Sequence, residues 1–224
     1  MTKIKEIFES IQGEGPYIGY KQLFIRFCNC NLKCNYCDTE FGTDENFMEF
    51  SPGGLAKYLK ENFDLKTMHS ISLTGGEPLL SVEFLKEFLP LVSSSKIYLE
   101  TNATLADKLA EVIDFVDIIA SDIKLESATG IKDTFKFHDK FFEVAKKKEN
   151  FAKIVFNKKI TDDEIKSACE LADKYNLPLI LQPECGEHSM NVDVEFATEI
   201  LNKFLNLYTD VRLIPQVHKF LNVR

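Results

Sequence analysis

The chain has 224 residues, 45% hydrophobic and 28% charged, with 27 basic against 35 acidic side chains and a formal net charge of −8. That balance excludes a broad electrostatic nucleic-acid surface, which clustered Lys and Arg would have to carry, and no apolar run approaches the roughly 20 residues of a membrane span. The length suits one domain over 1–224 and falls short of the about 250 residues of a complete eightfold β/α barrel.

The N-terminal MTKIKEIFES lacks the apolar core of a signal peptide, so the chain is expected in the cytosol. Glu9 to Pro16 (ESIQGEGP) reads as a glycine-punctuated turn. Gln22 to Phe27 is the first β-rich apolar run, and Cys28, Cys30, Cys34 and Cys37 follow it within ten residues. A helical pattern from Gly54 to Asn62 leads to a second strand, Ser70 to Thr74, which ends on Thr74-Gly75-Gly76-Glu77-Pro78. Next come a helix from Val82 to Leu91 and a strand from Lys96 to Thr101, with Glu100-Thr101-Asn102 at its end. A helix from Leu105 to Ile113 precedes a strand from Val116 to Ser121, and Asp122-Ile123-Lys124 closes that unit.

The polar stretch Glu126 to Asp139 reads as a long loop or insertion, of the kind that is usually functional, with a helical pattern from Lys136 to Lys148 behind it. The strand Phe151 to Phe156 and the helix Asp163 to Tyr175 follow; Cys169 shares a helical face with Ile165 and Ala172 and reads as a buried core cysteine. The strand Pro178 to Gln182 runs into Gln182-Pro183-Glu184-Cys185, and a helix from Val194 to Asn206 precedes a last strand from Val211 to Pro215.

Strands alternating with helices across short links imply parallel βαβ units with right-handed crossovers. Several strand runs are apolar with little alternation, as strands covered on both faces are. The fold class is therefore α/β. Every motif falls at the C-terminal end of a strand, where barrel enzymes build their sites, so an incomplete β/α barrel of about six βα units is the expected architecture.

Within the cysteine-rich segment, Cys30, Cys34 and Cys37 form C-x3-C-x2-C. Three thiolates on one loop can hold three irons of a cubane cluster and leave the fourth open to a substrate. A structural zinc site with Cys28 as fourth thiolate is the competing reading, and a zinc-binding interaction module would need no Thr74–Pro78 motif. Two glycines after a strand permit close backbone approach, and the Glu77 carboxylate can pair with an ammonium. The Arg26 fork suits a carboxylate.

C-x3-C-x2-C with Tyr36 before its last cysteine, followed by the GGEP segment, resembles the signature of the radical S-adenosylmethionine (SAM) enzymes. IQGEG, Arg26, CNLKCNYCDT, TGGEP, Glu100-Thr101-Asn102 and the terminal PQVHKFLNVR together resemble the 7-carboxy-7-deazaguanine synthase family, from near Ile7 to the C-terminus. The resemblance implies a single radical SAM domain, with a substrate-binding segment over 1–20 and a cluster loop over 28–41. It implies a [4Fe-4S] cluster on Cys30, Cys34 and Cys37, with Cys28 beside the cluster rather than bound to it. S-adenosylmethionine would lie against Tyr36, Cys37, Asp38, Gly76 and Glu77, near Asp122, Ile123 and Lys124, and near Gln182, Pro183, Glu184 and Cys185.

Ile11, Gln12, Gly13, Arg26, Thr74 and Arg224 would contact substrate, Thr39 would bind Mg²⁺ through its hydroxyl, and His218 is read as structural. The implied activity is a carbon–nitrogen lyase reaction in queuosine and 7-deazapurine biosynthesis. In it 6-carboxytetrahydropterin becomes 7-carboxy-7-deazaguanine with loss of ammonia, through a 5′-deoxyadenosyl radical. A flavodoxin or ferredoxin as electron donor and a homodimer are implied with it. Asp122-Ile123-Lys124 stands where the family often has Ser-Pro-Lys and is similar to a segment of the glycyl-radical activating enzymes, which remain an alternative.

Overall fold

A computed structural model describes residues 1–37, 47–186, 189–221 and 223. Among them, nine strands form one sheet: β1 (Thr2–Ile11), β2 (Lys21–Phe27), β3 (Met48–Phe50), β4 (Ser70–Gly75), β5 (Ile97–Thr101), β6 (Ile118–Asp122), β7 (Glu149–Phe156), β8 (Leu179–Pro183) and β9 (Val211–Leu213). Their order is β3-β1-β2-β4-β5-β6-β7-β8-β9. The pairs from β2 to β9 are parallel, while β1 runs antiparallel to both β2 and β3. The sheet does not close, and six crossovers join its seven parallel strands, as an incomplete barrel of about six βα units requires.

The crossovers carry α1 (Pro52–Asn62), α2 (Val82–Phe88), α3 (Ala106–Val112), α4 (Glu126–Thr129), α5 (Phe135–Ala145), α6 (Asp162–Tyr175) and α7 (Val194–Leu205), and α8 (Val217–Leu221) follows β9. Local chemistry sets the ends. Thr161 and Glu164 form a capping box at the start of α6, and Asn176 closes that helix in the left-handed region at φ 52°. Among the described residues no helix is long and apolar enough to cross a membrane.

Four elements depart from the sequence reading, and two of them, the three-residue β3 and the five-residue α8, are too short to show a period. β1 was not anticipated. Its apolar residues Ile4, Ile7, Phe8 and Ile11 lack a period of two, and the register against β2 shifts between Ile4 and Glu6, so that a bulge hides the alternation. The stretch Glu126 to Asp139 is largely helical instead of a loop. It holds the single turn α4, a left-handed Gly130 at φ 76°, and the start of α5, whose buried side is His138, Phe141, Phe142 and Ala145. One turn is too short to show a period.

Alternate residues of the parallel strands enter different surroundings. Leu23, Ile25, Ile71, Leu73, Leu99, Ile154 and Leu181 pack against the helices in the larger core. The opposite set, Tyr98, Ile118, Ala120, Phe151 and Ile180, forms a smaller core on the concave face, and Tyr17 and Ile214 pack against it. Full burial of one such side chain stabilises by roughly 1.5–3 kcal/mol. Segments from far apart in the chain therefore close the open side of the half-barrel: Val217 N–H donates to Gly13 O at 2.9 Å, and Gln216 Nε2 donates to Glu14 Oε1 at 2.7 Å. A Cβ on Gly13 would lie 2.6 Å from His218, so glycine is what lets the two segments meet.

Candidate active site

Toward the C-terminal ends of the strands the concave face turns polar. Arg26 (β2), Thr74 (β4), Glu100 (β5), Asp122 (β6) and Lys153 (β7) continue the inward-facing alternation and line two cavities. Glu14, Thr74 and Glu100 line both.

The smaller cavity, about 170 Å³, is lined by Cys30, Cys34 and Cys37 together with Tyr36, Gly75, Gly76, Thr101, Asn102 and Lys124. The cysteine loop leaves β2 and is held at its root by the glycines after β4. Gly75 lies at φ 103°, and Gly76 and Glu77 donate their N–H groups to Phe27 O at 3.0 Å and Asn29 O at 2.6 Å. Close approach at this turn therefore serves the chain's own Asn29 backbone. Cys30 Sγ accepts from Leu32 N–H at 3.5 Å and from Asn102 Nδ2 at 3.9 Å. Burial raises the Cys30 thiol and lifts Cys34 to about 11.

A metal must therefore displace protons as it binds. Three thiols facing one void, with N–H donors already turned toward a sulfur, fit an iron–sulfur cluster. Among the described residues no group of three or more His, Cys, Asp and Glu is gathered to hold a single metal ion.

Glu77 is buried, and its carboxylate accepts from Leu79 N–H at 3.0 Å, Thr101 Oγ1 at 3.0 Å and Asn102 N–H at 2.8 Å. Burial carries its pKa up to about 7 against those bonds. In this structure it ties the end of β4 to the end of β5 and lines neither cavity. Lys124 donates to Tyr36 Oη at 2.9 Å and to Asp122 Oδ2 at 3.0 Å, so the fourth motif meets the cysteine loop through its two charged residues. Ile123 turns the other way, into the helix-facing core.

His138 fixes Lys124 from behind. Its Nε2 accepts from Lys124 N–H at 3.0 Å, so Nδ1 carries the proton and donates to Ala103 O, also at 3.0 Å. Burial depresses this imidazole to about 4. The unfolded His titrates near 6.5, so its contribution is complete above that pH and falls by about 3 kcal/mol as pH drops toward 4. Other groups titrate in the same range, so the difference between wild type and His138→Gln isolates the effect. That difference in unfolding free energy should narrow as urea titrations move from pH 7.5 to 4, and a constant difference would contradict the assignment.

The larger cavity, about 380 Å³, brings together five of the anticipated substrate residues: Ile11, Gln12, Gly13, Arg26 and Thr74. Gln12 Nε2 donates to Gln22 Oε1 and Glu100 Oε1, both at 3.0 Å, and Thr74 Oγ1 donates to Glu100 Oε2 at 2.7 Å. Arg26 Nε pairs with Glu6 Oε1 at 2.7 Å. Phe8 and Phe24, stacked with ring centroids 5.3 Å apart, supply an apolar wall.

Asp38, Thr39 and Arg224 lie outside the described residues. Gln182 and Pro183 end the sixth parallel strand, and Glu184 and Cys185 follow it, as anticipated, but all four line neither cavity. Gln182 is buried with its Nε2 unpartnered, Glu184 accepts from Asn157 and Asn191, and Cys185 Sγ donates to Pro183 O at 3.1 Å. Sequence reading missed Glu6, Phe8, Glu14, Phe24, Lys153 and Gln216 as lining residues, and it read His218 as structural although it borders the larger cavity. A signal existed for some of them: Phe24-x-Arg26, Tyr98-x-Glu100 and Phe151-x-Lys153 share an apolar-then-polar step at spacing two.

Comparison with known proteins agrees with this arrangement. Residues 24–181 match the model of the radical SAM superfamily. The chain is 38% identical to a 7-carboxy-7-deazaguanine synthase of Archaeoglobus fulgidus, over 98% of this chain and 97% of that one. It is likewise 38% identical to the enzyme of that name from Geobacter sulfurreducens, with the same coverage. The fold is similar to the crystal structure of QueE from Escherichia coli, with TM-score 0.65 at 17% identity over 97% of this chain and 94% of that one.

Proposed function

Because the chain belongs to the radical SAM superfamily and, within it, to the 7-carboxy-7-deazaguanine synthase family, we propose that its two cavities divide one reaction between them. The smaller takes the cluster and S-adenosylmethionine. The larger takes 6-carboxytetrahydropterin, which leaves as 7-carboxy-7-deazaguanine after loss of ammonia. The observation that carries this division is the shared wall of Glu14, Thr74 and Glu100, which brings a substrate in the one cavity up to whatever the other holds.

When bound, the cluster and S-adenosylmethionine supply the one-electron chemistry that takes a hydrogen from the pterin. The chain's residues supply position and charge. Glu6 holds the Nε edge of Arg26, which leaves the terminal guanidinium nitrogens to a substrate carboxylate. Gln12 and Thr74 fix both oxygens of Glu100, so that carboxylate is set to accept a ring N–H. The stacked Phe8 and Phe24 give a flat bicycle an apolar wall, and the inner core of Tyr98, Phe151 and Ile180 below keeps water from the reacting centre. Thr39 offers a hydroxyl to Mg²⁺, which suits a charged oxygen-rich substrate. The chain works as a homodimer in the cytosol and draws electrons from a flavodoxin or ferredoxin.

The test is anaerobic reconstitution of the cluster, followed by reductant, S-adenosylmethionine, Mg²⁺ and 6-carboxytetrahydropterin. Formation of 7-carboxy-7-deazaguanine is the expected result. A protein with a full cluster that cleaves S-adenosylmethionine without making it would overturn the assignment.

A further inference from the structure

Lys153 is a buried cation with no task in the scheme above. It stands on the concave face of β7, 5% exposed. Its ammonium bonds to the Glu14 carboxylate and lies 3.4 Å from Asp122 Oδ1. Asp122 accepts from Lys124, which reaches Tyr36 on the cysteine loop, and the second oxygen of Glu14 accepts from Gln216. Taking an ammonium out of water costs several kcal/mol. Apolar residues of similar volume would stabilise this face as well or better, because Tyr98, Phe151 and Ile180 already pack there.

We propose that Lys153 is a positioning residue for the proposed reaction: it holds the Glu14 carboxylate at the wall shared by the two cavities, aimed at the pterin. The inference rests on the substrate reading above. Burial alone would raise the Glu14 carboxyl; the Lys153 charge, the Gln216 amide and His218 outweigh it and hold the group far below its usual range. Glu100 on β5 and Asp122 on β6 carry like charge nearby, and Gln12 accepts from the Glu14 N–H on its own loop. Without the ammonium, only the Gln216 amide and His218 oppose burial, so the Glu14 carboxyl rises and takes up a proton more readily as the pH falls.

The test uses holoenzyme with its cluster and S-adenosylmethionine but no reductant, titrated with 6-carboxytetrahydropterin by calorimetry. Lys153→Met should bind it about ten- to a hundredfold more weakly, and more weakly at pH 6 than at pH 8, with iron content unchanged. Lys153→Arg should recover most of the affinity. Glu14→Gln should weaken binding without that added pH dependence, and the double variant should be no worse than Glu14→Gln alone. Where Lys153→Met does not fold, Lys153→Gln is expected to show the same pH trend.

Binding within threefold of wild type in the neutral variant, or losses that simply add in the double variant, would overturn the positioning role. Wild type that ignores the pterin altogether would instead overturn the functional reading.

Discussion

Replacing Cys30 with alanine is expected to abolish the cluster and all product formation, whereas Cys28→Ala should retain both. Cys30 faces the smaller cavity alongside Cys34 and Cys37, and its sulfur already accepts from Leu32 and Asn102. Those donors would stabilise a thiolate once iron has displaced its proton. Without it two thiolates remain, too few to hold a cubane that leaves only one iron free of protein. Cys28 sits two residues earlier, is not among the residues lining that cavity, and has its N–H turned back to Lys3 O at 3.4 Å. Iron and sulfide analysis with the brown visible absorbance reads the result directly. Full cluster occupancy in Cys30→Ala, or a colourless Cys28→Ala, would reverse the ligand assignment.

Gly76→Ala should be nearly as damaging, for a reason in the backbone. A Cβ there would lie 1.9 Å from Asn29 O and 2.4 Å from Asn29 C. Moving Asn29 aside breaks the bond from Glu77 N–H and shifts the root of the cysteine loop. Overpacking together with a lost buried hydrogen bond costs about 2–6 kcal/mol, a large part of the usual 5–15 kcal/mol total. Thermal melts should fall by about 10 °C, with iron lost in parallel. Gly53→Ala is the control: nothing lies within 4 Å of its Cβ, it sits in α1, and the added methyl should leave the melt unchanged or slightly higher. A Gly76→Ala protein that melts with wild type would mean the turn is more yielding than these distances allow.

Much of the fold was legible because β/α alternation is coarse. The seven parallel strands, six of the helices and the five motifs at the ends of those strands follow from periodicity. β1 was not, since its bulge scrambles the alternation, and neither were the short β3, α4 and α8. The cavity-lining residues found from the sequence were those with a motif around them. Glu14, inside IQGEG, was passed over because only the fold brings Lys153 and Gln216 to it, and Lys153 itself lies in a run whose apolar residues mask the inward-facing alternation.

Glu77 shows the reverse: its motif was plain, but the bonds that bury it are made to Thr101 and Asn102, distant in sequence. The glycyl-radical activating and zinc-module readings both give way to relatives of a single name that match nearly the whole chain. The Asp122 and Lys124 pair, which favoured the first, here serves contacts to Tyr36 and Lys153.

The bond from Gln216 to Glu14 spans 202 residues of sequence, and contacts that long are slow to form. During synthesis the strands from β1 to β7 can pair and bury their helices before the segment carrying Gln216 and His218 leaves the ribosome. The larger cavity is therefore walled only after the cysteine loop and its flanking strands are in place. A half-made chain could collect iron on its early cysteine loop, but it would have no walled chamber in which a substrate could meet it.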